Sequence, residues 1–185
     1  MKRWLIGRGP AALFFAGTTA VAAHVQVPIP GAVVPISLQT VAVVIAPIAL
    51  GPAGGTMAML LYLVAGVAGL PVFAGGRAGL DLLLGSSGGY LAGFVLAQFV
   101  VGYTVKALFG KIANWRLLIV AALAGHGVIL LGGLLWLGLG AGTDEWSNAF
   151  MKGVWPFLPG AAIKSVLVVL IGPFALNWNI KQGSQ

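Results

Sequence analysis

Lys164 carries the most conspicuous chemistry in this sequence. It lies in "FLPGAAIKSVLVVL", residues 157–170, one turn inside an apolar run. An ammonium group at that depth is costly unless an anion, a hydrogen bond or water meets it. Two fates suit the residue. It can hold a polar group of a ligand, or its stem can carry the charge out to the membrane interface.

Other polar side chains gather where apolar segments begin. "PISLQTVAVV" places Ser37, Gln39 and Thr40 at one such start, and "RAGLDLLLGSSGGY" places Arg77, Asp81, Ser86, Ser87 and Tyr90 before and at another. Helices starting at one membrane face present unpaired N–H groups and positive dipole ends there. Together with Lys164 they suit a carboxylate. Phe73 and its loop neighbours can enclose the apolar part of a small ligand. Ser86 and Ser87 equally suit helix capping before Tyr90.

Several chemistries have no residues to carry them. The sequence holds no GxxxxGK[ST] loop for nucleotide phosphates, no HExxH and no GxSxG. Asp144 and Glu145 adjoin in a loop and read as a solvated acidic turn. His126, in "AGHGV", reads as a neutral imidazole bonded to a neighbouring helix. His24 ends the first apolar segment, and two histidines without nearby carboxylates make a poor metal site. No catalytic residue, metal or cofactor is therefore expected.

Composition sets the elements that must position these groups. Of 185 residues, 59% are hydrophobic and 7% charged, with a mean hydropathy of +1.04. Soluble domains carry about 25% charged residues, so the expectation is an all-α membrane protein. Six apolar segments run roughly over 10–27, 36–51, 53–70, 89–109, 116–138 and 160–177. They predict a compact bundle of six transmembrane helices formed by residues 1–185 as one domain. The first is read as a retained helix rather than a cleaved signal. Zero cysteines exclude disulfides.

Charge orients the bundle. With six spans, Lys2, Arg3, Arg8, Lys106, Lys111, Arg116 and Lys181 fall on one face. Arg77, Lys152, Asp81, Asp144 and Glu145 fall on the other, with Lys164 just inside it. The basic face is expected to be cytoplasmic, with both termini there. This segregation accounts for the net charge of +7 without nucleic acid. The long, glycine-rich and aromatic loops then face outward, where a ligand would be met.

Ala12, Ala16 and Ala20 recur every fourth residue of "ALFFAGTTA". Small residues so spaced make a smooth stripe for another helix, within the bundle or on a partner.

Residues 27–94, from "VPIPGAVVPISLQT" through "LGPAGGTMAMLLYLVAGVAGLPVF" to "GSSGGYLAGF", resemble the BioY family. "FLPGAAIK" resembles that family's entrance to its sixth helix, and the likeness extends to about residue 170. That family supplies the substrate-binding S component of energy-coupling factor transporters. The resemblance implies a six-helix bundle in a prokaryotic plasma membrane that captures biotin from outside. It implies a transmembrane coupling protein and ATPase subunits as partners, besides membrane lipid. The outer-face residues and this likeness together make Gln39, Thr40, Phe73, Arg77, Asp81, Ser86, Tyr90 and Lys164 the expected ligand-binding residues, with Asp81 standing in for a family acid. The likeness favours Ala12, Ala16 and Ala20 as the docking stripe. The family commonly has an acid three positions before the lysine, where this sequence has Ala161. "GSSGGY" stands where "GPTGGY" is more usual. Rival readings are an S component for another small vitamin, a transporter working without the ATPases, a membrane enzyme using His126 or Ser37, and a structural subunit.

Overall fold

The structure, a computed structural model, describes residues 2–27, 31, 34–141 and 145–183, with side chains over 9–27, 31, 34–140 and 145–179. The side chains of Lys2, Arg3, Arg8, Asp144 and Lys181, and most of the loop between 28 and 33, lie outside the described residues. The chain is built from helices α1 (Lys2–His24), α2 (Gln39–Val67), α3 (Asp81–Leu84), α4 (Gly88–Leu108), α5 (Asn114–Trp136), α6 (Trp146–Gly153) and α7 (Leu158–Gly183). A two-stranded antiparallel ribbon, β1 (Gln26–Val27) with β2 (Ile36–Ser37), joins α1 to α2. Four stretches among the described residues are long and apolar enough to cross a membrane: Gln39–Val67, Gly88–Leu108, Asn114–Gly140 and Trp146–Asn179.

α2 is two limbs rather than one rod. Gln39 and Tyr62, 23 residues apart, hydrogen-bond through their side chains. In a straight helix they would be separated by about 34 Å. The chain reverses at Gly51, whose φ of 71° and ψ of 176° suit glycine. Pro52 follows it and begins the returning limb.

The two prolines of α2 each leave a carbonyl without its helical donor, because proline has no N–H. Pro47 cannot serve Val43, and Gln98 on α4 donates its Nε2 to Val43 O at 3.1 Å. Pro52 cannot serve Ile48, and Asn179 on α7 donates its Nδ2 to Ile48 O at 2.8 Å. Side-chain amides from two other helices thus replace the two donors that proline removes from this part of α2. The limb over 39–50 is the centre of the bundle: every residue from Ala42 to Leu50 is buried. A helix apolar all round belongs in such a position.

Glycines set the α4–α5 spacing. A Cβ at Gly93 would lie 2.9 Å from Ile129 Cα, and one at Gly132 would lie 3.4 Å from Gly93 Cα. Small residues allow backbones to approach this closely. Gly102 likewise rests against Pro52, where an added Cβ would be 2.7 Å from the proline nitrogen.

The alanine stripe of α1 requires a correction. Ala12 and Ala16 are buried and belong to the hydrophobic core, and Ala20 is half-buried and packed against it. α1 meets the rest of the bundle chiefly through α2. The small side chains therefore serve internal packing. The outward side of α1 carries Leu13, Phe14, Gly17 and Val21 instead. Ala16→Trp should consequently cost folded protein rather than partner association alone. Overpacking a close helix contact costs about 1–3 kcal/mol. A lowered melting temperature for the purified chain is the expected result. A variant that melts like the parent protein would return the stripe to a partner surface.

Candidate functional site

At the end of the bundle where α2, α4 and α7 begin lies a cavity with an open mouth. α2 contributes Gln39 and Thr40, α4 contributes Tyr90, Leu91 and Phe94, and α7 contributes Ala161 and Lys164. α5 supplies His126, Ile129 and Leu130 from its buried middle, and Phe73, Ala74 and Arg77 come from the loop before α3.

Lys164 is 7% exposed, so its stem does not carry the charge to the surface. Its Nζ donates to the backbone carbonyl of Ser37 at 3.2 Å. No carboxylate is among the described residues lining the cavity. A single neutral carbonyl satisfies one of the three ammonium donors, and the charge is left for an anion to meet.

A chain of hydrogen bonds runs from this lysine to the loop over the cavity. Ser37 Oγ donates to Gln39 Oε1 at 2.8 Å, and Gln39 Nε2 donates to the Tyr62 hydroxyl. Tyr62 in turn donates to Val72 O at 3.1 Å. Gln39 therefore lines the cavity with one amide N–H still available. The adjacent turn holds Phe73 against Tyr62, edge to face, with ring centroids 5.5 Å apart. It closes between Phe73 and Arg77, through Gly75 and Gly76 at positive φ. Arg77 is exposed at the rim, its Nε donating to Ala74 O at 3.0 Å.

His126 forms the inner end of the cavity and is buried. Its Nδ1 lies 3.0 Å from Ala122 O, an atom that can only accept, so that nitrogen carries the proton. In the neutral ring, Nε2 then accepts from the Thr40 hydroxyl at 3.2 Å. Ser165 Oγ, 3.1 Å from Nδ1, ties the ring to α7. The histidine thus links α2, α5 and α7 beside Lys164.

Of the residues proposed from sequence, Gln39, Thr40, Phe73, Arg77, Tyr90 and Lys164 come together on this cavity. Asp81 and Ser86 do not. Asp81 is exposed and its carboxylate turns back onto Gly79. Its neighbour Leu82 and Ser87 line the cavity in their place, and Ser87 makes no side-chain capping bond to α4. Sequence reasoning passed over Phe94 and Ile129, and it read His126 as an internally bonded imidazole without placing it on the cavity. Phe94 falls one turn after Tyr90, and Ile129 one turn after His126, so helical spacing from a polar anchor would have found them.

A family model described as the BioY family matches residues 8–181. A probable biotin transporter BioY of Pyrococcus horikoshii is 34% identical over 157 residues, covering 85% of this chain and 88% of that protein. The biotin transporter BioY2 of Lactococcus lactis subsp. cremoris is 33% identical over 156 residues, covering 84% of each chain. Among solved structures, the S component for biotin from an ECF-type ABC transporter superposes with a TM-score of 0.82 at 28% identity. The match covers 93% of this chain and 92% of that one. The all-α architecture is therefore that of an S component, and the apolar helices are those of a membrane protein. With a family model spanning nearly the whole sequence and relatives above 30% identity over more than four-fifths of it, this chain belongs to the BioY family.

Proposed function

We propose that this protein captures biotin at the outer face of a prokaryotic plasma membrane and delivers it inward as the S component of an energy-coupling factor transporter. The observation that carries the reading is Lys164: a buried ammonium on a mostly apolar cavity, held by one carbonyl and facing no carboxylate among the described residues. Biotin supplies a carboxylate for a cation, an aliphatic chain for Leu91, Phe94 and Ile129, and a polar ring for hydrogen bonds. Lys164, Thr40, Gln39 and Tyr90 are the proposed polar contacts, with Phe73 covering the apolar part. The chain acts as a binding subunit, not an enzyme. Hydrolysis of ATP falls to partner subunits reached through a transmembrane coupling protein.

We read residues 1–185 as one domain crossing the membrane six times, with both termini cytoplasmic. The reversal at Gly51 supports this count, since it turns α2 into two passes. At 1.5 Å per residue the limb over 39–50 is only about 18 Å long. Being enclosed by protein, it need not match the roughly 30 Å of bilayer hydrocarbon. Lys106, Lys111 and Arg116 then sit together at the end opposite the cavity, as a cytoplasmic face requires.

Equilibrium binding of labelled biotin to the purified chain tests the function. Saturable binding is expected, displaced by desthiobiotin but not by thiamin, whose positive charge Lys164 would repel. Displacement by thiamin or riboflavin, with no effect of desthiobiotin, would assign a different vitamin.

A further inference from the structure

We propose that α6 is an interfacial helix, seated in the lipid headgroup layer beside the cavity, with Trp146 and Phe150 in lipid and Lys152 toward the lipid phosphates. The arrangement around the helix carries this. Trp146 and Phe150 are exposed and, at about 100° per residue, lie about 40° apart on one side. Asn148 and Lys152 lie about 200° from them, on the opposite side. Ala149 and Gly153 are buried between these two arcs, against the bundle. A helix at the membrane surface needs this order: protein at its flank, water above and hydrocarbon below.

The apolar arc continues an exposed apolar surface on the neighbouring helices. Trp146 packs over Gly138, two residues past the end of α5. From there Leu139, just past α5, and Leu135 and Leu131 on α5 form one exposed row, and Ile163 and Val166 on α7 are also exposed. Tryptophan and phenylalanine at the top of such a surface sit where the bilayer boundary falls, and tryptophan is enriched there. A lysine on the water side adds attraction for phosphate.

The position also matters to the cavity. Tyr90, which lines it, donates its hydroxyl to Gly153 O at 2.6 Å, and its ring lies 6.0 Å from Phe157. The small residues Ala149 and Gly153 let α6 lie directly on this wall. The bilayer thereby holds one side of the cavity through α6, a consequence that rests on the proposed binding function. The helix placement itself does not.

The chain has no cysteine, so single spin labels can be placed without background. The full chain should be reconstituted in phosphatidylcholine–phosphatidylglycerol vesicles with a label at Trp146→Cys, Phe150→Cys, Asn148→Cys or Lys152→Cys. Labels at 146 and 150 should collide several-fold more with oxygen than with a water-soluble nickel complex. Those at 148 and 152 should show the reverse. Two positions on each arc keep the comparison open if one variant folds poorly. Equal nickel access at all four would place α6 in water and overturn the proposal. Shielding of 146 and 150 from both collision partners would mean that protein, not lipid, covers this face, and would overturn it too. None of these readings requires biotin to bind.

Discussion

Lys164→Ala should weaken biotin binding about 10- to 150-fold, the equivalent of the roughly 1.5–3 kcal/mol carried by a hydrogen bond to a charged group. The ammonium lies inside the cavity wall, where little water screens it, and its protein partner is the carbonyl of Ser37. Removing it leaves that carbonyl short of a donor, so stability must be read beside affinity. Lys164→Met keeps the stem and should fold while losing a similar share of binding. Lys164→Arg should rescue poorly, because a planar guanidinium does not fit where a compact ammonium donated. Wild-type affinity in all three variants, measured by equilibrium titration, would remove Lys164 from the site and leave its burial without a functional reason.

The missing acid sharpens this prediction. Ala161 faces the cavity one turn before Lys164, and none of the described residues lining that wall is a carboxylate. An aspartate introduced at 161 would stand near the ammonium, where opposite charges attract strongly in a low-dielectric setting. It would then either pair with Lys164 or bond the polar ring of biotin.

Some of this was legible in the sequence for physical reasons. Gly51 and Pro52 mark a chain reversal because one suits a positive φ and the other begins a helix. Lys164 is conspicuous because charge within apolar helices is rare. Other features were hidden for equally physical reasons. A stripe of alanines permits close approach but does not say from which side, and α2 occupies the surface assigned to a partner. In the loop before α4 no periodicity tells inward from outward, so Asp81 and Ser86 were taken where Leu82 and Ser87 line the cavity. His126 was visible as an intramembrane histidine. Its place beside Lys164 depends on the packing of α5 against α7, which no local pattern encodes. α6 is shorter than any span and sits in a polar stretch, so only its fold against Tyr90 and Leu137 reveals it.

Gly66→Val should lower biotin affinity by at least about tenfold while the helical bundle persists. Gly66 lies near the end of α2, and a Cβ there would lie 2.1 Å from Phe73 Cζ, a clash with the tip of the ring. The ring packs against Tyr62, and the turn that carries it is tied by backbone hydrogen bonds. Phe73 N donates to Arg77 O at 3.0 Å, and Gly79 N donates to the carbonyl of Gly66 at 2.9 Å. Valine must therefore push the whole turn outward, giving up burial of an aromatic side chain worth about 1.5–3 kcal/mol. The displaced turn carries Ala74 and Arg77 with it, and the cavity loses its cover on that side. Phe73→Ala tests the same wall from the other direction. It should reduce affinity without crowding, and the double variant should melt higher than Gly66→Val alone, because the valine then has space. Near-additive losses in stability would instead show that the two positions do not touch. Full biotin affinity in Gly66→Val would mean that the Phe73 turn does not close over the ligand, and the cover would have to come from another segment.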